Sequence, residues 1–321
     1  MALAADRPEG YLALGDYQRL IVDDPSRALE RYREAERRAP KNADAISSVA
    51  VAEIRLGRWE AGVDHLRSVE RFDPRSLINK RRLAFALLWM RRYPDAHDVL
   101  DQGLGLAPTN LTLIEYKAMT HLAQGDLAAA RATLRAAPAA VDPTALVAYV
   151  ARTDLGWALD EEQRELLLRL APSAFDDDVA AWASSLAQAY ALRRDEKRAR
   201  VHAEEARNAI EEQLRAAPRN VQRRLALGLA LAYLGRREEA VREGERGAAL
   251  VPIAKDAYVG PQLQHLLARI YLLVGEPEKA LDRLEPLLKI PYYLSPGWLR
   301  IDPNFDPLRS HPRFQKLIAG G

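Results

Sequence analysis

The sequence predicts an all-α fold in which pairs of antiparallel helices stack one after another along the chain. Prolines recur at a constant interval, at Pro40, Pro74 and Pro108. Small residues recur at the same interval, at Ala28, Gly62, Ala96 and Ala130. Two independent markers with one period indicate an internal repeat, and the period matches a helix–turn–helix unit of roughly 34 residues. We therefore expect a right-handed α-solenoid of about eight helical hairpins, closed by a C-terminal capping helix.

The first four repeats form a regular array that we assign to residues 1–142. In the first, the loop 22–25 is one residue longer than the period allows. The second is the most regular: Asn42 is placed to cap its first helix, as Asn110 is two repeats later, and Gly57 is placed to end it. Gly62 falls where the two helices cross, because a larger side chain there would push them apart. The third repeat has Arg91 in place of the turn glycine.

The repeat pattern decays over residues 143–178, which we interpret as a degenerate repeat and a joint. Two short helices are predicted there, at 144–155 and 161–170. The acidic triplet at 176–178 stands directly before the next helix, and we interpret it as an N-terminal cap. A metal site is the alternative, but no His or Glu is spaced nearby to complete a ligand shell.

Residues 179–321 regain the repeat and end differently from the first half. The step from Ala199 to Ala240 exceeds the period by seven positions. Seven residues are about two helical turns, so we expect a longer helix whose buried face keeps its direction. The final segment is rich in aromatic and apolar residues. It predicts a cap, with a helix at 307–318, over the last repeat.

Composition limits the classes of function. The chain of 321 residues carries a formal net charge of +2, and its arginine pairs are scattered, so we expect no nucleic-acid binding. It contains no cysteine, which excludes disulfides and thiolate metal sites. We find neither a signal-peptide pattern nor a run of ~18 apolar residues, and expect no membrane span. We expect a cytoplasmic location, or a periplasmic one if the chain is detached from a membrane-spanning parent.

Two segments of the second half resemble a known family. They are LGLALAYLGRREEAVREGERGAALVP (Leu227–Pro252) and IYLLVGEPEKALDRLEPLLKIPYYLSPGWLRIDPNFDPLRSHPRFQKL (Ile270–Leu317). Both are similar to the C-terminal tetratricopeptide repeat (TPR) regions of bacterial serine/threonine protein kinases and related signalling proteins. The resemblance covers nearly the whole chain and implies an interaction or sensor module whose partner is an N-terminal kinase or cyclase domain. The chain itself has no kinase glycine-rich loop, HRD or DFG motif, so the resemblance implies no kinase activity here.

No constellation of residues points to catalysis, a cofactor or a metal. The six histidines form no metal-binding spacing. The nearest cluster, His97 with Asp98 and Asp101, is interpreted as an exposed polar helix face. We interpret His265 as a neutral surface residue at a groove-facing position. We therefore expect a non-enzymatic protein without cofactor or metal.

A partner-binding groove is the remaining candidate site. In solenoids of this family the first helix of each repeat lines the concave side, which receives peptides or helices. Fixed offsets from the small-residue position place in this groove Ser47, Val51, Ile78, Arg81, Phe85, Leu88, Glu115, Met119, Leu122, Gln222, Leu225, Gln262, His265 and Arg269. Phe85 and Met119 favour an apolar trough for an amphipathic helix or an extended peptide. Alternatively, the apolar members only pack between neighbouring repeats.

The sequence therefore predicts a protein–protein interaction scaffold that binds a peptide or helix in its concave groove, as a module of a bacterial signalling protein. The alternative is a regulatory sensor domain. It would bind a small molecule or peptide near the degenerate central repeat.

Overall fold

The computed structural model describes residues 7–319, and every regular element among them is a helix. The all-α prediction and the series of helical hairpins are confirmed. The residues form two compact units. Unit 1 contains the described residues up to Pro108 together with Pro252–Pro261, and unit 2 contains Thr109–Val251 and the residues from Gln262 onward. The division at 142 and 178, which followed repeat regularity, stays a prediction.

Unit 1 consists of three helical hairpins and the separate segment Pro252–Pro261. Its helices are α1 (Pro8–Tyr17), α2 (Pro25–Arg38), α3 (Ala43–Arg55), α4 (Trp59–Glu70), α5 (Leu77–Trp89) and α6 (Tyr93–Leu106). Each first helix packs on the second helix of its own hairpin, and neighbouring hairpins share further contacts. The buried side chains are those that recur at helical spacing, as the core of an amphipathic repeat requires.

The extra residue predicted in the first repeat is absorbed by the helix itself. The chain continues from α1 into a π-helical turn, Gln18–Val22, and leaves it through Asp23 at φ 58°. A π turn holds more residues than an α turn, so it accommodates an insertion without shifting the next helix. The cap of α2 is then intact, with the Asp24 side chain accepting from the Arg27 amide at 3.0 Å.

Side-chain caps begin the helices where the sequence predicts them. Asn42 Oδ1 accepts from the Ala45 amide at 3.0 Å. Asn110 and Asp178 do the same at the starts of their helices. The prediction that the acidic triplet caps a helix is confirmed for Asp178, whose carboxylate satisfies an otherwise unpaired amide.

The turns between paired helices share a left-handed backbone. The residues at these turns with φ between 58° and 83° are Gly57, Arg91, Gly125, Asp154, Arg194, Gly235 and Gly275. Glycine adopts this conformation at no steric cost, whereas a residue with a Cβ adopts it only at an energetic cost. Arg91 therefore keeps the glycine geometry, and the turn is set by the hairpin rather than by the residue in it.

The helix crossing at Gly62 is as close as the sequence predicts. A Cβ on Gly62 would lie 2.7 Å from Ile54 Cγ1 and 3.0 Å from the Ala50 carbonyl oxygen. Helices α3 and α4 therefore approach at a distance that only glycine permits.

Unit 2 begins with one regular hairpin, continues through short helices and then regains long ones. The helices up to the joint are α7 (Leu111–Ala123), α8 (Leu127–Arg135), α9 (Pro143–Arg152) and α10 (Glu161–Leu167). Those after it are α11 (Val179–Leu192), α12 (Glu196–Ala216), α13 (Val221–Tyr233) and α14 (Arg237–Leu250). The predicted seven-residue extension is confirmed, because α12 has 21 residues and α14 has 14.

The remaining helices complete unit 2 and its cap. They are α15 (Val259–Leu273), whose first residues belong to unit 1, α16 (Pro277–Leu287), α17 (Pro296–Ile301) and α18 (Pro312–Ala319). The capping helix starts at Pro312 rather than at residue 307. A 3-10 helix, Pro303–Leu308, precedes it, because Pro307 and Pro312 interrupt the α-helical hydrogen bonds.

The cap covers more than the last repeat. Helix α18 packs on α16, whereas α17 packs on α7 of the fourth repeat. The Ser295 hydroxyl donates to the Ala123 carbonyl at the end of α7. A Cβ on Gly297 would lie 2.8 Å from the Gly125 amide, so the two backbones are in direct contact. Within residues 7–319, no helix combines the length and the apolar character that crossing a bilayer requires.

Candidate functional site

The fourteen predicted groove residues differ widely in exposure. Ile78, Arg81 and Gln222 are exposed, and Val51, Phe85 and Gln262 are half-buried. The buried ones are Ser47, Leu88, Glu115, Met119, Leu122, Leu225, His265 and Arg269. The assignment of the whole set to one binding groove stays a prediction, and the accessible members of unit 1 are its clearest candidates.

One face of α5 carries three of these positions in a continuous stripe with Trp89. Ile78, Arg81, Phe85 and Trp89 follow one another at intervals of three or four positions, so they lie along one side of the helix. The N-terminal end of the stripe is open, with Ile78 54% exposed. The C-terminal end is covered by another part of the chain, the segment Pro252–Pro261.

The repeat pattern in the sequence does not predict that this segment covers the α5 stripe. The small-residue step from Ala240 to Ala280 exceeds the period by six positions. Six residues are not a whole number of helical turns, so they cannot extend a helix and keep its face. They form the connection between α14 and α15 instead. The irregular step from Ala240 to Ala280 is the sequence feature that indicates this inserted segment.

An ion pair fixes the segment to the end of α3. Arg55 Nε donates to Asp256 Oδ2 at 2.6 Å, and the Asp256 side chain is 1% exposed. The other carboxylate oxygen accepts from the Tyr258 and Val259 amides, both at 2.9 Å, and so caps α15. Asp256 is therefore a buried carboxylate whose two oxygens are both satisfied.

The backbone of the segment also bonds to α3. The Ala257 amide donates to the Arg55 carbonyl at 2.8 Å. Arg55 is the last residue of α3, where carbonyls have no partner within the helix. Next to this bond, the Ala257 methyl lies 3.7 Å from the position of a Cβ on Gly57, which is an ordinary van der Waals distance.

An aromatic slot receives the next residue of the segment. The Tyr258 ring centroid lies 5.2 Å from that of Phe85 and 5.3 Å from that of Trp89. Trp59 also stacks on Trp89, at 5.5 Å. These separations are typical of favourable aromatic pairs.

Unit 2 contains a second candidate, a cavity of about 250 Å³ between α9, α11, α12, α13 and α15. Alanine side chains form much of its wall. Its polar lining residues include Asp154, Asp178, Gln188, Gln222, Arg223 and Arg269. The structure thus brings two predicted groove residues, Gln222 and Arg269, to one cavity. Within residues 7–319 the Arg223 guanidinium makes no hydrogen bond or ion pair.

A polar network runs through the wall of this cavity. Arg269 is 3% exposed and donates to Asp154, and it donates to Asn304 Oδ1 at 3.2 Å. Gln188 Nε2 donates to the other oxygen of Asp154 at 3.0 Å. Burial lowers the pKa of Arg269, but the charge of Asp154 outweighs this and holds the pKa above its ordinary value. The network joins the degenerate repeat, α11, α15 and the cap.

His265 is buried, so its interpretation as a surface residue is wrong. Its Nδ1 lies 3.0 Å from the Tyr292 hydroxyl and 3.2 Å from that of Tyr293, and its ring stacks on Phe305. These residues belong to the C-terminal segment, which folds over α15 and removes the histidine from solvent. Burial lowers the pKa of His265 to about 4, with the Arg269 charge adding to the effect, so the ring is neutral at pH 7.

The described residues, 7–319, contain no group of three or more His, Asp or Glu side chains arranged to hold a metal ion. The two candidate sites consist of the charged, polar and aromatic groups described above.

Comparisons with known proteins give structural likeness without sequence matches. No protein-family model and no curated sequence matches the chain. It is similar to the TPR protein from Parabacteroides merdae ATCC 43184, with 11% identity over 97% of each chain and a TM-score of 0.40. It is also similar to the MamA protein, with 13% identity over 76% of this chain and 91% of that one, and a TM-score of 0.34.

A third similar structure is the Cut9–Hcn1 hetero-tetramer of the APC/C. The identity is 13%, the match covers 99% of this chain and 56% of that one, and the TM-score is 0.46. By its own architecture, the chain is an all-helical protein built from successive helical hairpins. Identities this low transfer no function from one protein to another.

Proposed function

We propose that the protein is a non-enzymatic interaction scaffold that binds a peptide segment of a partner along the first-helix surface of unit 1. One observation carries the proposal. The stripe that begins with the exposed Ile78 and Arg81 continues into a position where α3 and α5 hold a loop of the same chain, Pro252–Pro261. This surface therefore has the hydrogen-bonding and aromatic groups that peptide recognition uses.

The open end of the stripe has the character of a partner contact. Ile78 is a large apolar side chain with 54% of its surface exposed, and the exposed Arg81 lies one turn away. An apolar anchor beside an arginine is a common arrangement at protein interfaces. On the resemblance of the sequence, we place this scaffold in a bacterial signalling protein, with a kinase or cyclase domain as a partner.

Charge reversal on the stripe tests the proposal. Affinity capture with crosslinking from a bacterial lysate identifies the partner, and titration of that partner then compares Arg81→Glu with wild type. We expect at least a tenfold loss of affinity for R81E with an unchanged circular dichroism spectrum. The matched control is Arg31→Glu, another exposed arginine, on α2, which should bind as wild type does. Equal affinity of R81E and wild type would remove this surface from the proposal.

The cavity of unit 2 supports a second candidate function, the binding of a small molecule or a peptide end near the degenerate repeat. Its support is the presence of the Arg223 guanidinium in the same lining as Asp154 and Asp178. A guanidinium beside alanine walls favours a ligand with a carboxylate and a small apolar part. Amino acids and dipeptides should then raise the thermal midpoint of wild type but not of Arg223→Met. No shift with any of them would remove this candidate.

A further inference from the structure

We infer that the surface of unit 1 recognises a partner segment with the pattern acidic–small–aromatic, and that Asp256, Ala257 and Tyr258 occupy this surface as an intramolecular ligand. The inference rests on the proposed function and specifies its ligand. The partner segment and the chain's own segment compete for one place.

The acidic position is defined by Arg55. Its side chain is 12% exposed and its Nη2 contacts Asp256, while the same nitrogen lies 3.2 Å from Oδ1 of the more exposed Asp23. A guanidinium that contacts two carboxylates keeps one partner when the other leaves. Release of Asp256 would therefore leave a preformed site for another carboxylate.

The small position is defined by the backbone. A residue whose amide donates to the Arg55 carbonyl must lie against the turn at Gly57, where Ala257 fits. Main-chain bonding of this kind is independent of the ligand's side chain. The Ala257 methyl lies at an ordinary van der Waals distance from the turn, so a side chain of this size fills the space without strain.

The aromatic position is defined by Phe85 and Trp89. Tyr258 is only half-buried between them, so the slot opens toward solvent rather than into a closed core. An open aromatic slot accepts a ring from outside without rearrangement of the helices. This is the geometry of an anchor residue at a peptide-binding surface.

The loop that presents the three residues is closed by a second tight contact. A Cβ on Gly260 would lie 2.6 Å from Ile253 Cα and 2.8 Å from the Ile253 amide nitrogen. The two ends of the segment thus touch through backbone atoms, and the residues between them project as one compact loop. Such a loop can leave the surface as a unit.

A peptide with the sequence of residues 252–261, PIAKDAYVGP, tests the inference. In wild type it competes with a tethered copy whose effective concentration is on the order of 1 mM. Tyr258→Ala empties the aromatic slot of the full chain. We expect Y258A to bind the labelled peptide at least tenfold more tightly than wild type. A control peptide in which Asp and Tyr exchange places should bind neither protein.

Two results would overturn the inference. One is a folded Y258A that does not bind the peptide. The other is equal binding of the peptide and its exchanged control. Either means that the segment is only a structural connection. If Y258A does not fold, hydrogen exchange of wild type decides. Excess peptide should accelerate exchange of the Ala257 amide, and an unchanged rate contradicts competition.

The experiments distinguish failure of this inference from failure of the proposed function. If a captured partner depends on Arg81 but the peptide does not bind Y258A, the scaffold function stands and the acidic–small–aromatic pattern is wrong. If the peptide binds Y258A but no captured partner depends on Arg81, the pattern stands and the proposed scaffold function is wrong.

Discussion

Arg55 Nε and Asp256 Oδ2 lie 2.6 Å apart, although 201 residues separate them in the chain. The contact joins the end of α3 to the segment that covers the α5 stripe. Both side chains are largely removed from water, which makes the pair costly to break on one side only.

The first prediction concerns this pair. Arg55→Ala leaves the Asp256 carboxylate buried without its cation, and we expect a loss of about 3 kcal/mol in the free energy of unfolding. Asp256→Asn keeps an acceptor for the helix cap and removes the charge. In a double-mutant cycle measured by urea unfolding, the two changes should couple by about 1–3 kcal/mol. Arg58→Ala, an exposed residue nearby, is the control and should change stability by less than about 0.5 kcal/mol. Additive effects of the pair would refute the coupling.

The second prediction concerns the crossing of α3 and α4. Gly62→Ala forces a methyl group to within 2.7 Å of Ile54, and we expect a loss of about 1–3 kcal/mol. Gly105 on α6 is the matched control, because a Cβ there meets nothing within 4 Å. Gly105→Ala should stabilise by about 0.5–1 kcal/mol through helix propensity alone. Thermal unfolding followed by circular dichroism measures both. The same sign of effect at both sites would rule out the steric explanation.

The third prediction concerns the left-handed turn before α12. Arg194 is exposed and has φ 61°, a conformation that costs about 1 kcal/mol for a residue with a Cβ. Arg194→Gly should therefore raise the free energy of unfolding by about 1 kcal/mol. Arg194→Ala removes the same side chain but keeps the Cβ, so it should show no such gain. If urea unfolding gives the same free energy of unfolding for both variants, the backbone of residue 194 is not strained.

The fourth prediction concerns pH. Burial raises the pKa of Glu115 to about 7, and hydrogen bonds with Thr153 and Tyr149 offset this only in part. The folded state therefore holds a proton that the unfolded state releases near pH 4.5. The stability contributed by Glu115 is complete below this pH and is lost as pH rises through 7. Glu115→Gln should stabilise by about 2–3 kcal/mol at pH 8 and change little at pH 4.

Glu53 provides the opposite case for comparison. Burial raises its pKa, but hydrogen bonds from His65 and Arg33 outweigh burial, and the pKa lies below its ordinary value. The stability that Glu53 contributes is present above the pKa that Glu53 has in the unfolded state, and it is lost as pH falls through the lower pKa of the folded state. Glu53→Gln should therefore destabilise at pH 7, where Glu115→Gln stabilises. For Glu115, the measurement is the free energy of unfolding as a function of pH. If it changes with pH in the same way for wild type and E115Q, the buried neutral state of Glu115 is contradicted.

The features of the fold that the sequence predicts are those encoded locally. Caps at Asn42 and Asn110, the close crossing at Gly62 and the long α12 each follow from a few neighbouring residues. Their physical causes act within one or two turns of helix. The extent of the cap was less predictable, because its contact with α7 depends on residues far apart in the chain.

The candidate site was predicted only in part. The helical register places Ile78, Arg81 and Phe85 on one stripe, which periodicity reveals. The burial of His265 and the covering of Phe85 by Tyr258 depend on long-range contacts, for which one sequence contains no local signal. The six extra residues before α15 marked an insertion, yet their length alone does not say where the loop binds.

Site-specific photo-crosslinking shows directly whether a partner binds to the α5 stripe. A photoreactive residue replaces Ile78 on the stripe in one protein and the exposed Asp64 on α4 in another, and both are irradiated in a bacterial lysate. We expect one discrete protein adduct at position 78 that disappears with R81E and is absent at position 64. The same adducts at both positions, or an adduct at position 78 that R81E leaves unchanged, would contradict a binding surface on this stripe.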